Sequence, residues 1–147
     1  MITRLISSFF RGLLLILILD FILFAGMIGN YFHTLNIREE YFNPIFVDNQ
    51  IYSLLLILAL PVGYFFSYTS FKKSFQIIYL ILLLVFSLVF IKSIGFSVGE
   101  FFFLKKDSIK INERYLSGEI LYIGREYLYF RKDLSDKTLK FKKDLIE

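Results

Sequence analysis

The chain has 147 residues and a formal net charge of +4; 56% of it is hydrophobic, 20% is aromatic, and it lacks cysteine. At a mean hydropathy of +0.62, it carries more apolar surface than a soluble fold of this length can hide. The missing cysteine excludes disulfides and thiolate chemistry, and a single histidine excludes most imidazole-based catalytic sets.

Charge placement divides the chain. Residues 12–99 hold only Asp20, Arg38, Glu39, Glu40, Asp48, Lys72, Lys73 and Lys92, while Glu100 to Glu147 hold eleven Lys or Arg against nine Asp or Glu. The amino terminus reads MITRLISSFFRGLLLILILD, basic residues ahead of an apolar run with no small-residue cleavage site, which predicts an uncleaved first span. That span is placed at 12–32: its 21 residues reach roughly 30 Å at ~1.5 Å each, the hydrocarbon thickness of a bilayer.

A second span over 51–70 is free of charge and contains Pro61. A third over 74–94 is uncharged until Lys92, whose stem can snorkel to the headgroups. The segment between the first two spans carries an Asn43-Pro44 turn signal and reads as a loop. Tyr31, Phe32, Tyr52, Tyr64 and Tyr68 fall near span ends, as interfacial anchors do.

Past residue 97 the hydrophobic period changes. SGEILYIG, EYLYFRK and TLKFKKDLI alternate apolar and polar residues between turn signals, and SIKIN and EFFFL offer further strands. Alternation puts Leu121, Ile123, Leu128, Phe130, Leu139 and Phe141 in a core and leaves Tyr122, Tyr127, Tyr129, Arg131, Lys140 and Lys142 outside. The expected fold is therefore three transmembrane helices within 1–97 and a small, basic, all-β domain over 98–147, an SH3/Sm-like meander or partial barrel.

Asp20 stands out because a carboxylate in hydrocarbon costs about 2.5–3.5 kcal/mol on insertion scales. Its position in the span predicts that it lies level with Pro61, whose ring leaves a helical carbonyl unpaired. One reading makes Asp20 part of a pore-lining ring or a proton site; the other makes it a protonated hydrogen-bonding link between helices. Ala25, Gly26 and Gly29 offer a small-residue face for helix packing. Tyr and Lys on the outer strand face suit an anionic lipid or a nucleotide, or an ordinary solvated surface. No phosphate loop, zinc-protease motif or nucleophile elbow occurs, so neither enzyme activity, a metal nor a cofactor is expected.

Three helices followed by FSVGEFFFL, SGEILYIG and TLKFKKDLI resemble the membrane-proximal part of small-conductance mechanosensitive channels, which implies a pore-forming oligomer. The third span lacks the Gly and Ala ridges with which those pore helices pack. In size and richness in Phe, Ile, Tyr and Lys, the helical part also resembles immunity proteins of pore-forming bacteriocins. The sequence thus leads to a non-enzymatic, multi-pass protein of the bacterial inner membrane. It is expected to self-assemble into a homo-oligomer with a pore, effector or sensor role. The alternative is an immunity or accessory subunit docking on a second membrane protein. Arg4, Arg11, Lys72 and Lys73 favour, slightly, an inside amino terminus over the one set by Lys105, Lys106 and Lys110.

Overall fold

The computed structural model describes residues 2–38, 42–111, 114–133, 135 and 137–145; Glu39 and Glu40 of the acidic loop lie outside them. The unbroken run of Leu, Ile and Phe forms one long helix, α1, regular over Ile2–Met27 and widened to a π-helix over Ile28–Phe32. It starts at Ile2, well before the expected Gly12. Its end is a Schellman cap: Asn36 takes the left-handed conformation (φ 54°), the Ile37 N–H donates to the Phe32 carbonyl (2.9 Å) and the Asn36 N–H to that of His33 (3.3 Å). Asn tolerates that backbone, and the flanking Phe32 and Ile37 are both buried.

The expected loop holds a short helix, α2 (Phe42–Asp48), followed by α3 (Tyr52–Tyr68), bent away by 80°. Helix α4 (Lys72–Ser87) tightens into a 3-10 turn over Leu88–Phe90. The third helix does not reach Ile94 as expected: Ile91 is extended (ψ 125°) and a separate helix, α5 (Lys92–Phe103), follows. The strand expected over EFFFL is mostly part of α5. Gly95 and Gly99, one helical turn apart, fit against Asn30 and Tyr31 of α1, and this packing overrides the strand propensity of the phenylalanines. Among the described residues, two helices, Ile2–Phe32 and Lys72–Phe90, are long and apolar enough to cross a membrane, and a third qualifies if bent α2 and α3 count as one span.

Strands β1 (Lys105–Ile111), β2 (Arg114–Ile123), β3 (Tyr127–Lys132) and β4 (Thr138–Lys142) form an antiparallel sheet in sequential order. Both faces carry buried residues. One holds Ile109, Ile120, Leu128 and Phe130. The other joins Phe24, Met27, Tyr31 and Phe32 of α1 in a single core containing Leu121, Tyr122 and Tyr129.

The broadest helix contact is that of α1 with α3, and it is made backbone to backbone. A Cβ on Gly12 would fall on the carbonyl oxygen of Ala59 and 2.7 Å from the Gly63 nitrogen; one on Gly63 would fall on the carbonyl of Ser8. Ser8 with Gly12 and Ala59 with Gly63 are therefore two small-x-x-x-small pairs that let the axes approach closely. Of the small residues singled out in the sequence, Ala25 is half-buried and Gly26 accepts Val89 at its bare Cα, whereas Gly29 has nothing within 4 Å. Helix α4 runs parallel to α1, with the Tyr79 hydroxyl donating to the Leu15 carbonyl (2.9 Å) and Val89 seated on Gly26.

Gly12→Ala and Gly63→Ala should each destabilise the fold by about 1–3 kcal/mol, because backbone has to move. Gly29→Ala should gain up to about 1 kcal/mol from helix propensity. Denaturant titration in detergent, followed by circular dichroism, measures both; equal effects at all three positions would contradict the crossing.

Candidate functional site

The sheet is fastened to α1 by polar links as well as by its core. The Tyr31 hydroxyl donates to the Leu121 carbonyl (2.9 Å), Tyr129 to Arg38 (2.8 Å) and Thr138 to Leu35 (2.6 Å). The rings of Phe32, Phe103 and Tyr122 meet edge to face at 4.9–5.4 Å between centroids. At the far corner, Arg125 in the β2–β3 turn donates two hydrogen bonds to Asp48 at the end of α2 (2.5 and 2.6 Å).

This docking changes the basic–aromatic face read from the sequence. Tyr122 and Tyr129 are buried, at 3% and 1% exposure, instead of lying outside; Ile123 and Leu139, assigned to the core, are exposed. A bulge between Ile120 and Tyr122 breaks the two-residue period, so Leu121 and Tyr122 enter the same core. The alternation rule also presumes that only one face carries buried residues, whereas here both do. Lys140, Lys142 and, partly, Tyr127 and Arg131 remain accessible. Their charges have partners within the chain: Lys140 sits over the Tyr127 ring (3.7 Å), Arg131 pairs with Glu119 (2.5 Å), and Lys142 with Asp144 (3.2 Å). The six residues do not form one open surface.

The more distinctive site surrounds Asp20. A partly open cavity of about 370 Å³ is lined by Ile16, Leu19, Asp20, Leu23 and Phe24 of α1, by Asn49, Gln50 and Ile51, by Leu54, Leu55 and Leu58 of α3, and by Phe86 and Phe102. Asp20 therefore lies beside the start of α3 and not level with Pro61, which belongs to the Gly12 crossing a few turns away. The sequence estimate failed because α1 begins at Ile2 and pairs with α3 through Ser8 and Gly12, sliding Asp20 toward the sheet end of the bundle. Among the described residues, the Asp20 carboxylate makes no hydrogen bond or ion pair. The Gln50 Nε2 is buried without a partner, whereas Asn49 Nδ2 donates to the Ile45 carbonyl (2.8 Å).

Gln50, Phe86 and Phe102 escaped the sequence reading. The one available signal was the polar run Asp48-Asn49-Gln50 immediately before an apolar helix. His33 is exposed, and among the described residues no cluster of three His, Asp or Glu side chains is placed to hold a metal ion. Compared with protein-family models, curated proteins and solved structures, the chain matches none.

The Arg125 hydrogen bonds hold the Asp48 carboxyl below its ordinary value of 3.8. A depressed folded-state value makes the stabilisation fully present above the unfolded value and lost as pH falls through the folded one. The melting-temperature advantage of the native chain over Asp48→Asn should therefore be constant from neutral pH down to about 5 and shrink on acidification below the ordinary aspartate range. Arg125→Gln should show the same convergence, read from the near-ultraviolet tyrosine signal.

Proposed function

We propose that this chain is a bilayer-embedded, non-enzymatic protein of the bacterial inner membrane whose helices associate with other helices and whose sheet transmits that association outward as one body with α1. The observation that carries this reading is α4, in which no residue is buried although it is apolar along almost its whole length. In water such a helix would be untenable; in lipid it is a ready contact surface. Together with its 3-10 turn it is 19 residues long, roughly 28 Å at ~1.5 Å per residue, close to hydrocarbon thickness.

On this placement α1, α3 and α4 cross the bilayer. Arg4 and Arg11 lie over the Tyr68 ring (5.9 and 5.6 Å), at the same end as Lys72 and Lys73. Lys92, Lys105 and Lys106 gather at the other end with the sheet. Helix α2 stacks Phe42 and Phe46 near Phe21 and Phe24 of α1, in keeping with a helix lying along the interface on the sheet side.

Copies of the same chain are the first partner to expect, in a homo-oligomer with an effector or sensor role. A pore ringed by Asp20 receives less support, since that carboxylate opens into a cavity built by its own chain's helices. Docking on a different membrane protein as an immunity or accessory subunit uses the same α4 surface and is the second reading.

Because the native chain has no cysteine, single replacements report cleanly. In native membranes, Ile81→Cys or Leu84→Cys on α4 should give disulfide-linked dimers under mild oxidation, and Leu55→Cys, buried against its own chain, should not. A single heterologous adduct in place of dimers would favour the docking reading. Lys73→Cys and Lys137→Cys should label with an impermeant maleimide from opposite sides of the membrane; labelling from one side would overturn the three-crossing placement.

A further inference from the structure

We infer that the Asp20 cavity receives a membrane lipid bearing a primary ammonium headgroup. This rests on the bilayer placement proposed above and goes beyond it by assigning a ligand to a site. Three features of the cavity converge on that chemistry.

The first is charge. Among the lining residues there is a single carboxylate and no cation, and that carboxylate has no partner among the described residues. An anionic headgroup would meet an uncompensated negative charge there, and a sugar or glycerol headgroup would leave it unmatched. An ammonium group supplies both a counter-charge and hydrogen-bond donors.

The second is the orphaned donor. The Gln50 Nε2 is buried and unpaired, a condition that costs free energy unless something accepts its hydrogen bond. In an amine-headed phospholipid, phosphate and ester oxygens follow the ammonium within a few bonds, so one molecule satisfies Asp20 through its nitrogen and Gln50 through an oxygen. A simple alkylamine offers the first contact and lacks the second.

The third is polarity along the cavity. Asn49 and Gln50 stand at the end nearest the sheet, beside Leu23 and Phe24, and Asp20 lies at mid-length, whereas only the apolar Ile16 and Leu58 lie toward the Gly12 crossing, in the middle of the bundle. On the proposed placement the polar end meets the headgroup region and the apolar end the acyl chains, the orientation of a lipid in the sheet-side leaflet. Phe86 and Phe102, contributed by elements on either side of the break at Ile91, line the cavity between them. The volume falls within the range of ordinary small-molecule sites.

The test uses the full chain in nanodiscs containing equal amounts of phosphatidylethanolamine and phosphatidylglycerol, released into native mass spectrometry. The native chain should retain phosphatidylethanolamine about tenfold over phosphatidylglycerol, and should not retain an N-acetylated phosphatidylethanolamine, whose chains are the same and whose amine is uncharged. Asp20→Asn should bring the preference close to unity. Leu58→Trp, which fills the apolar end and leaves the carboxylate in place, should abolish retention of either lipid. Equal retention of both lipids by the native chain, capture of the N-acetylated lipid, or a preference that survives Asp20→Asn would each overturn the assignment. If Asp20→Asn does not fold, the N-acetylated lipid decides on the native chain alone. Failure of the placement itself is read separately, from the maleimide labelling of Lys73→Cys and Lys137→Cys.

Discussion

The length of α1 constrains everything around it. A helix running from Ile2 to Phe32, 31 residues, extends roughly 46 Å at ~1.5 Å per residue, well beyond the ~30 Å of a hydrocarbon layer. Helices α3 and α4 pack along one side of its first two-thirds and leave residues such as Phe10 and Leu14 exposed; its last turns carry Met27, Tyr31 and Phe32, all essentially inaccessible to solvent. Rings of that size need a cover, and the sheet with α5 supplies it. The sheet is thus not a tethered accessory. It shares a core with the helix that precedes it by some seventy residues in sequence, and the hydroxyls of Tyr31, Tyr129 and Thr138 fix its orientation through backbone carbonyls.

That coupling explains why the helix break at Ile91 is tolerated. Ending a helix leaves carbonyls unpaired, and at this one Asn30, in the π-helical part of α1, donates to the Val89 carbonyl (2.9 Å). Widening α1 over Ile28–Phe32 brings Asn30 and Tyr31 against α5, where bare Gly95 and Gly99 make room for them. Break, π-helix and glycine pair form one device: the chain leaves α4 at the extended Ile91, packs α5 along the end of α1, and enters the sheet with Phe103 seated on Tyr31, Phe32 and Tyr122.

Much of this architecture was legible in the sequence, and its omissions have physical causes. Long apolar runs and the change to a two-residue period reveal three apolar helices ahead of an antiparallel sheet, because those signals are local. Helix pairing is not local. The Ser8–Gly12 and Ala59–Gly63 pairs lie in different elements, and each alone looks like ordinary small residues among leucines; the Ala25–Gly26–Gly29 cluster is more conspicuous and only Gly26 of it is filled. A bulge at Leu121 inverts the facing of Tyr122 without any glycine or proline to announce it. The two remaining errors differ in origin: EFFFL is held helical by the packing of Gly95 and Gly99 on α1, whereas Tyr129 was placed outside on the assumption that the sheet had one buried face.

Asp20 is the residue whose meaning changes most. Judged from the sequence it sits deep in an apolar span, where a carboxylate needs a reason such as a pore or a protonated bond between helices. Placed beside the start of α3 in one cavity with Gln50, it would, on the proposed bilayer placement, lie nearer the sheet-side surface than the sequence position suggests, where a charge is less costly. What remains unexplained by depth is the pairing of an unmatched acceptor with an unmatched donor, Asp20 and Gln50, in one cavity that is otherwise apolar. Core residues with complementary needs are ordinarily bonded to each other or to backbone. Asp20 and Gln50, both half-buried, share a cavity without bonding each other, and it is on that mismatch that the lipid assignment rests.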